Sequence, residues 1–243
     1  MKQPVFYTAG TTDALHHARN QLLQWGYELS PSPSGRVTHL LLPVPSFDSP
    51  CILKGGPLLD AVLGALPEDI TVLGGNLPRL PCPCVDFLQD EFYLVENAGI
   101  TAHCTLKLLR QQAAVLAGAK ILIIGWGRIG KRLIPLLKSQ GASVTAAVRK
   151  EKDLQALRQL QCDAVTISHL VPKQYDIIIN TAPAPLLHET DTDPSALLID
   201  LASVRGIAGD RVIWARGLPN KDAPDVSGIL IAKTALRYAL GKE

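Results

Sequence analysis

The sequence predicts an α/β protein of two domains, a C-terminal Rossmann-type doubly wound parallel sheet and a smaller N-terminal flavodoxin-like α/β domain. Three observations lead there. The chain has 243 residues, more than a single domain of about 100–150 residues normally holds. Short apolar runs alternate with segments of helical periodicity in both halves, as in sheets assembled from strand-helix units. In the second half a Gly-x-Gly-x-x-Gly run, Gly125 to Gly130, separates one such apolar run from an amphipathic stretch.

Val5–Thr8 reads as a strand, and Asp13 is placed to cap a helix through Trp25 because Leu15, Ala18, Leu22 and Trp25 recur at helical spacing. His39–Val44 is an apolar run closed by prolines, and Ile70–Leu73 is another closed by Gly74-Gly75; Pro57–Leu66 between them reads as a helix. The Pro-rich stretch Leu77–Pro83 reads as an extended loop, with Cys82-Pro83-Cys84 at its end. Phe92–Val95 reads as a strand and Thr101–Leu116 as a helix joining the two domains, stopped by Gly118. The strands that follow are Ile121–Ile124, Ser143–Ala147, Ala164–Thr166, Ile177–Asn180, Leu197–Asp200 and Val212–Trp214. A last helix, Val226–Leu240, is expected to return to the first domain. The expected division is residues 1–97, a connecting helix over 98–118, and a nucleotide-binding domain over 119–225.

Composition narrows the function. Hydrophobic residues at 47% and charged residues at 19% suit a chain that folds throughout. A net charge of +2, with both signs interspersed, provides no extended basic surface, so a nucleic-acid partner is not expected. No run approaches the roughly 20 apolar residues of a membrane helix, and the first residues lack the pattern of a secretory signal. Five scattered cysteines, an odd number, fit a reducing compartment, so a cytoplasmic location is expected. Cys82-Pro83-Cys84 has neither zinc spacing nor a second pair, and no metal site is expected.

The glycine run carries the chemistry. Gly125 permits a tight turn, Gly127 lets backbone approach a pyrophosphate, and Gly130 lets the helix pack against its strand; Trp126, Arg128 and Ile129 complete the loop. The helix start then presents N–H groups and partial positive charge to the phosphates. An NAD site places an acid about 20 residues further on to hold the ribose hydroxyls. Here the chain reads Ala146-Ala147-Val148-Arg149-Lys150. Arg149 can pair a 2′-phosphate bidentately and Lys150 adds a point charge, so NADP is expected, with NAD the alternative.

Four segments resemble one family, dipicolinate synthase A, from the enzyme of bacterial spore formation. Gly125-Trp126-Gly127-Arg128-Ile129-Gly130 resembles its G-[FW]-G-R-x-G, and Asn180-Thr181-Ala182-Pro183-Ala184 its N-T-x-P-A. Ile199-Asp200-Leu201-Ala202-Ser203 resembles I-D-L-A-S, and Gly217–Pro224 resembles G-L-P-G-K-x-A-P with Asn220 in place of a glycine. In the first half Leu40–Pro45 resembles an apolar L-P-x-P segment, whereas of the family's N-x-x-P-T-A-E-G run only Asn97, Thr101 and Ala102 are kept, with His103 at the acidic position. The resemblance implies NADP-dependent oxidation of a dihydrodipicolinate, formed from 4-hydroxytetrahydrodipicolinate by loss of water, to dipicolinate during sporulation. It also implies a second, flavoprotein-like polypeptide, dipicolinate synthase B. Homo-oligomerisation stays open.

Position ranks the candidate residues, because parallel sheets bind ligands beyond the carboxyl ends of their strands. Asn180, Thr181, Ala182 and Pro183 are expected to line the cofactor. Arg205, Arg216 and Lys221 are expected to pair the carboxylates of a small dicarboxylate substrate, with Gly206 letting backbone approach a ligand. His103 is the candidate for proton transfer, with Ser203 and Arg205 as further catalytic candidates. Asp200 reads as a cap of the turn after its strand. His16, His17, His39, His169 and His188 lack motif context and read as surface or structural residues. Two other functions suit the same residues: an NAD(P)-dependent oxidoreductase of 2-hydroxy or 2-oxo acids, and a nucleotide-binding partner or sensor protein without turnover. Against the first, no histidine follows His188.

Overall fold

In the computed structural model, which describes residues 3–241, the apolar runs of the first half line up as one parallel sheet. The chain runs through β1 (Val5–Thr8), α1 (Asp13–Gln24), β2 (Glu28–Leu29), β3 (His39–Leu41), a hairpin of β4 (Phe47–Ser49) and β5 (Ile52–Leu53), α2 (Leu59–Leu63), β6 (Thr71–Gly74) and β7 (Cys84–Asp86). The sheet order is β2-β1-β3-β6-β7, parallel throughout, which is the flavodoxin-like order. Its central strands β3 and β6 are buried on both faces, so Leu40 and Leu41, and Val72 and Leu73, are neighbouring residues that are all fully buried. Thr12, not Asp13, caps α1: its Oγ1 accepts from Leu15 N at 3.3 Å. Asp13 instead sits in the first turn, where its charge complements the helix dipole.

Next come α3 (Glu91–Gln111), β8 (Lys120–Ile124), α4 (Arg128–Ser139), β9 (Ser143–Val148), α5 (Glu151–Gln159), β10 (Asp163–Thr166), β11 (Ile177–Asn180), β12 (Leu187–His188), β13 (Leu197–Asp200), β14 (Ile207–Ala208) and β15 (Ile213–Trp214). The main strands form a six-stranded sheet in the order β10-β9-β8-β11-β13-β15, all pairs parallel. This is the doubly wound Rossmann order, whose direction of winding reverses between β8 and β11. The chain closes with α6 (Leu218–Asp222) and α7 (Pro224–Ala239). It divides into two compact units, Met1–Asn97 with Pro219–Glu243, and Ala98–Leu218.

Two local expectations are corrected. Phe92–Val95, expected as a strand, belongs to α3, so the connecting helix expected over 98–118 begins and ends earlier, at Glu91 and Gln111. The cause is Asp90: its Oδ1 accepts from Tyr93 N at 2.6 Å, starting the helix, while α7 donates to the same carboxylate from Tyr238 Oη at 2.6 Å and Arg237 Nη1 at 3.5 Å. A helix start fixed by a buried cap overrides the β preference of an aromatic and branched run. Cys84 likewise leaves the expected loop to begin β7, pairing with Val72.

His39 yields a stability prediction. It is half-buried at the start of β3, with its ring 5.3 Å from Phe6 and Nδ1 2.8 Å from Thr38 Oγ1, and burial lowers its pKa from the ordinary 6.5. The unfolded chain therefore binds the proton first as pH falls. The stability is fully present above pH 6.5 and is lost progressively as pH drops from there toward the lowered folded value. Urea midpoints measured across this range are expected to fall with acidification, and His39→Phe to flatten the trend. An unchanged pH slope in the variant excludes His39 as the source.

Candidate functional site

β8, fully buried at Ile121–Ile124, delivers the chain to Gly125 where the sheet order reverses. Gly125 has φ +100°, a conformation that favours glycine, and its N–H donates to Ala147 O at 2.9 Å. A side chain there would also stand 2.7 Å from Thr181 Oγ1. Behind the turn the packing is tight, since a Cβ on Gly130 would press into the Gly125 carbonyl oxygen. In front it is open. Gly127 is the N-cap of α4, has no side chain to bond the first-turn N–H groups, and a Cβ on it would meet nothing within 4 Å. Arg128 and Ile129 open the helix, and Lys131 Nζ lies 4.8 Å from the Trp126 ring. Free space before a helix start with packed backbone behind it suits a pyrophosphate. The residues fit a dinucleotide.

Thr181, just beyond β11, is bound to that turn: its N–H donates to Ile124 O at 2.9 Å, and its Oγ1 to the same oxygen at 3.0 Å and to Gly125 O at 3.4 Å. Asn180 does not line the cofactor with its side chain as expected. Its buried amide is spent internally, Nδ2 donating to Asp200 Oδ1 at 2.9 Å and to Ala182 O at 3.0 Å while Oδ1 accepts from Ala182 N at 3.0 Å. It holds the Thr181–Pro183 turn from within, and Pro183 is the exposed member. Arg149 and Lys150 both lie exposed where β9 ends, with Lys150 as the N-cap position of α5.

Asp200 organises the other half of the site. Fully buried, it accepts at Oδ1 from Asn180 Nδ2 and from Ala202 N at 3.0 Å, and at Oδ2 from Gly206 N at 2.6 Å and Ile207 N at 2.9 Å. These bonds bend the chain into the turn that carries Ser203 and Arg205, both exposed. Gly206 does not bring backbone toward a ligand as expected; a Cβ there would run into the Asn180 amide and stand 2.7 Å from Ala184 O, so the glycine admits protein packing. The guanidinium of Arg205 lies 5.1 Å from the centre of the Trp214 ring, whose Nε1 donates to Ala202 O at 3.1 Å. Trp214 is a residue the sequence reading missed. It is a fixed platform that holds the cation in place without neutralising it.

Arg216, also exposed, follows β15. Lys221 lies in α6 and not in a loop, and belongs to the first unit. Its neighbour Asn220, which replaces the family's glycine, donates from Nδ2 to Val44 O at 2.9 Å. His103 is exposed on α3 with Nδ1 2.9 Å from Gly99 O. A carbonyl can only accept, so Nδ1 carries the proton and the neutral ring keeps its lone pair on Nε2. Among the described residues no group of three or more His, Cys, Asp or Glu is arranged to hold a metal ion, and no helix is long and apolar enough to cross a membrane.

Residues 97–192 match the NAD binding domain of the D-isomer specific 2-hydroxyacid dehydrogenases. Among solved structures, dipicolinate synthase A from Bacillus halodurans superposes with a TM-score of 0.82 at 18% identity, over 98% of each chain. The A chain of dipicolinate synthase from Bacillus subtilis gives 0.80 at 18% identity, over 100% of this chain and 99% of that one. This chain has the dipicolinate synthase A fold. The transhydrogenase from Sinorhizobium meliloti is a more distant likeness, with a TM-score of 0.68 at 12% identity over 96% of this chain and 92% of that one. No curated protein matches in sequence. With the glycine turn, the domain match supports an NAD(P)-dependent dehydrogenase.

Proposed function

We propose that this chain is an NADP-dependent oxidoreductase that converts a dihydrodipicolinate, formed from 4-hydroxytetrahydrodipicolinate by loss of water, into dipicolinate in the cytoplasm of a sporulating cell. The observation that carries the proposal is the end-to-end likeness to dipicolinate synthase A. The four sequence segments that resemble that family support it, and of these Gly125–Gly130, Asn180–Ala184 and Ile199–Ser203 all fall at the carboxyl ends of the strands in the six-stranded sheet.

NADP, when bound, supplies the hydride acceptor. The substrate would lose a hydride from a ring carbon together with one proton, leaving an aromatic ring whose stability favours the change. The Gly125–Gly130 backbone and the start of α4 would hold the pyrophosphate, and Arg149 and Lys150 would hold the 2′-phosphate. Arg205 and Arg216 are assigned to the two substrate carboxylates, positioning the ring carbon. The Nε2 lone pair of His103 is assigned the proton, and the Ser203 hydroxyl a hydrogen bond to substrate. The flavoprotein-like dipicolinate synthase B is the proposed partner, and a homo-oligomer of this chain is compatible with the same site.

The 2-hydroxyacid dehydrogenase match over residues 97–192 favours a second reading, oxidation of a 2-hydroxy acid; a third is a nucleotide-binding protein without turnover. Purified chain incubated with NADP and the 4-hydroxytetrahydrodipicolinate precursor is expected to produce NADPH and dipicolinate, with a 2-hydroxy acid series as the control. No NADPH from the precursor, with or without dipicolinate synthase B, sinks the proposal. The cofactor assignment has its own check. Arg149→Ala is expected to weaken NADP about tenfold and leave NAD unchanged, as loss of one charge-assisted pair requires. Equal or tighter NAD binding by the unmodified protein in a titration overturns it.

A further inference from the structure

The loop after β10 holds a side-chain cluster with no role in the site described so far. β10 ends at Thr166, and Ile167–His169 follows as one 3-10 turn. His169 Nδ1 lies 2.7 Å from Thr166 Oγ1 and 3.2 Å from Ser168 Oγ, and the two hydroxyl oxygens are 3.1 Å apart. Exposed polar side chains normally stay mobile, because water satisfies them and fixing a rotamer costs entropy. Here two hydroxyls and an imidazole hold one another, so the ring is oriented before any ligand arrives. Among the described residues, Nε2 of His169 has no hydrogen-bond partner.

The position of the cluster suggests its ligand. β10 and β9 are parallel neighbours with Thr166 opposite Val148, so the cluster starts one strand spacing, about 4.8 Å, from the strand end that continues into Arg149 and Lys150. Both loops leave the carboxyl edge of the sheet side by side. That strand end is where a fold of this order holds the adenosine ribose. Glu151 and Asp153, in the first turn of α5, oppose an anion nearby, so a phosphate there gains from further donors.

We infer that His169, oriented by Thr166 and Ser168, is a further specificity-determining residue for a 2′-phosphorylated adenosine ribose, sharing the phosphate with Arg149 and Lys150. The inference rests on the reading of NADP as the cofactor. When the Thr166 hydroxyl donates to Nδ1, the proton of the neutral ring sits on Nε2, the nitrogen left for a phosphate oxygen. Arg149 and Lys150 supply charge, and His169 supplies a directed N–H. Thr166 is a positioning residue.

The test compares binding of NADP, NAD, adenosine 2′,5′-bisphosphate and adenosine 5′-monophosphate to the full chain and to His169→Ala, Thr166→Val and Arg149→Ala, each checked for native circular dichroism. His169→Ala is expected to weaken NADP and the bisphosphate about ten- to hundredfold while leaving NAD and the monophosphate within about twofold, the scale of one hydrogen bond to a charged group. Thr166→Val should act in the same direction but less. A His169→Ala variant that weakens all four ligands alike overturns the inference, because the ring then lines the adenosine and not its phosphate. So does one that changes none of them while Arg149→Ala still weakens NADP; in that case the NADP reading survives alone. An unmodified chain that binds NAD as tightly as NADP and the monophosphate as tightly as the bisphosphate overturns both.

Discussion

Replacing Asp200 with alanine is expected to destabilise the Ala98–Leu218 unit by about 3–5 kcal/mol, the upper range for a single substitution. The carboxylate is fully buried and accepts from Asn180 Nδ2, Ala202 N, Gly206 N and Ile207 N. Truncation leaves these donors without an acceptor in a place water does not reach, and each such group costs about 1–3 kcal/mol before relaxation. Asp200→Asn tests the same idea at constant shape: its amide nitrogen would face N–H groups that need an acceptor, so it should lose much of the same stability. On the proposed reaction both variants should also lose turnover, since the turn they release carries Ser203 and Arg205, the residues assigned to substrate. Urea unfolding followed by circular dichroism measures the loss. An Asp200→Asn protein that unfolds at the wild-type midpoint contradicts the role assigned to the carboxylate.

On the proposed reaction, Arg205→Ala is expected to lower kcat/KM for the dicarboxylate by roughly 30- to 900-fold, or about 2–4 kcal/mol, the scale for removing one partner of a charge pair that substrate binding desolvates. NADP affinity should scarcely change. Arg205 is held over the Trp214 ring at 5.1 Å and has no carboxylate partner among the described residues, so its charge remains for a ligand. Trp214→Ala should reproduce part of the loss by letting the guanidinium move, and Arg205→Lys should restore little because an ammonium cannot pair a carboxylate through two parallel bonds. Steady-state kinetics beside a cofactor titration separate the outcomes. An Arg205→Ala enzyme with weakened NADP binding and an unaltered response to substrate concentration would move Arg205 into the cofactor site.

The sequence by itself determined the parts whose causes are local. Ile121–Ile124, the glycines and the amphipathic stretch from Arg128 lie within one continuous segment, and the turn between them depends on backbone freedom that residue identity alone reveals. Both sheet orders were legible at the level of class, because buried parallel strands show as continuous apolar runs. Phe92–Val95 was not, since its composition suits a strand and the competing cap, Asp90, is secured by Tyr238 and Arg237 from the far end of the chain. The short strands β2 and β7 were missed because two or three residues carry no measurable period. At the candidate site the same division holds. The tertiary structure alone decided that Asn180 turns inward to Asp200, that Gly206 makes room for Asn180 and Ala184, that Trp214 supports Arg205, and that His169 is aimed by Thr166. The Asn180, Gly206 and Trp214 contacts join residues on different strand ends, and hydrogen bonds and ring contacts of that kind depend on where the sheet places each end, which no local spacing encodes.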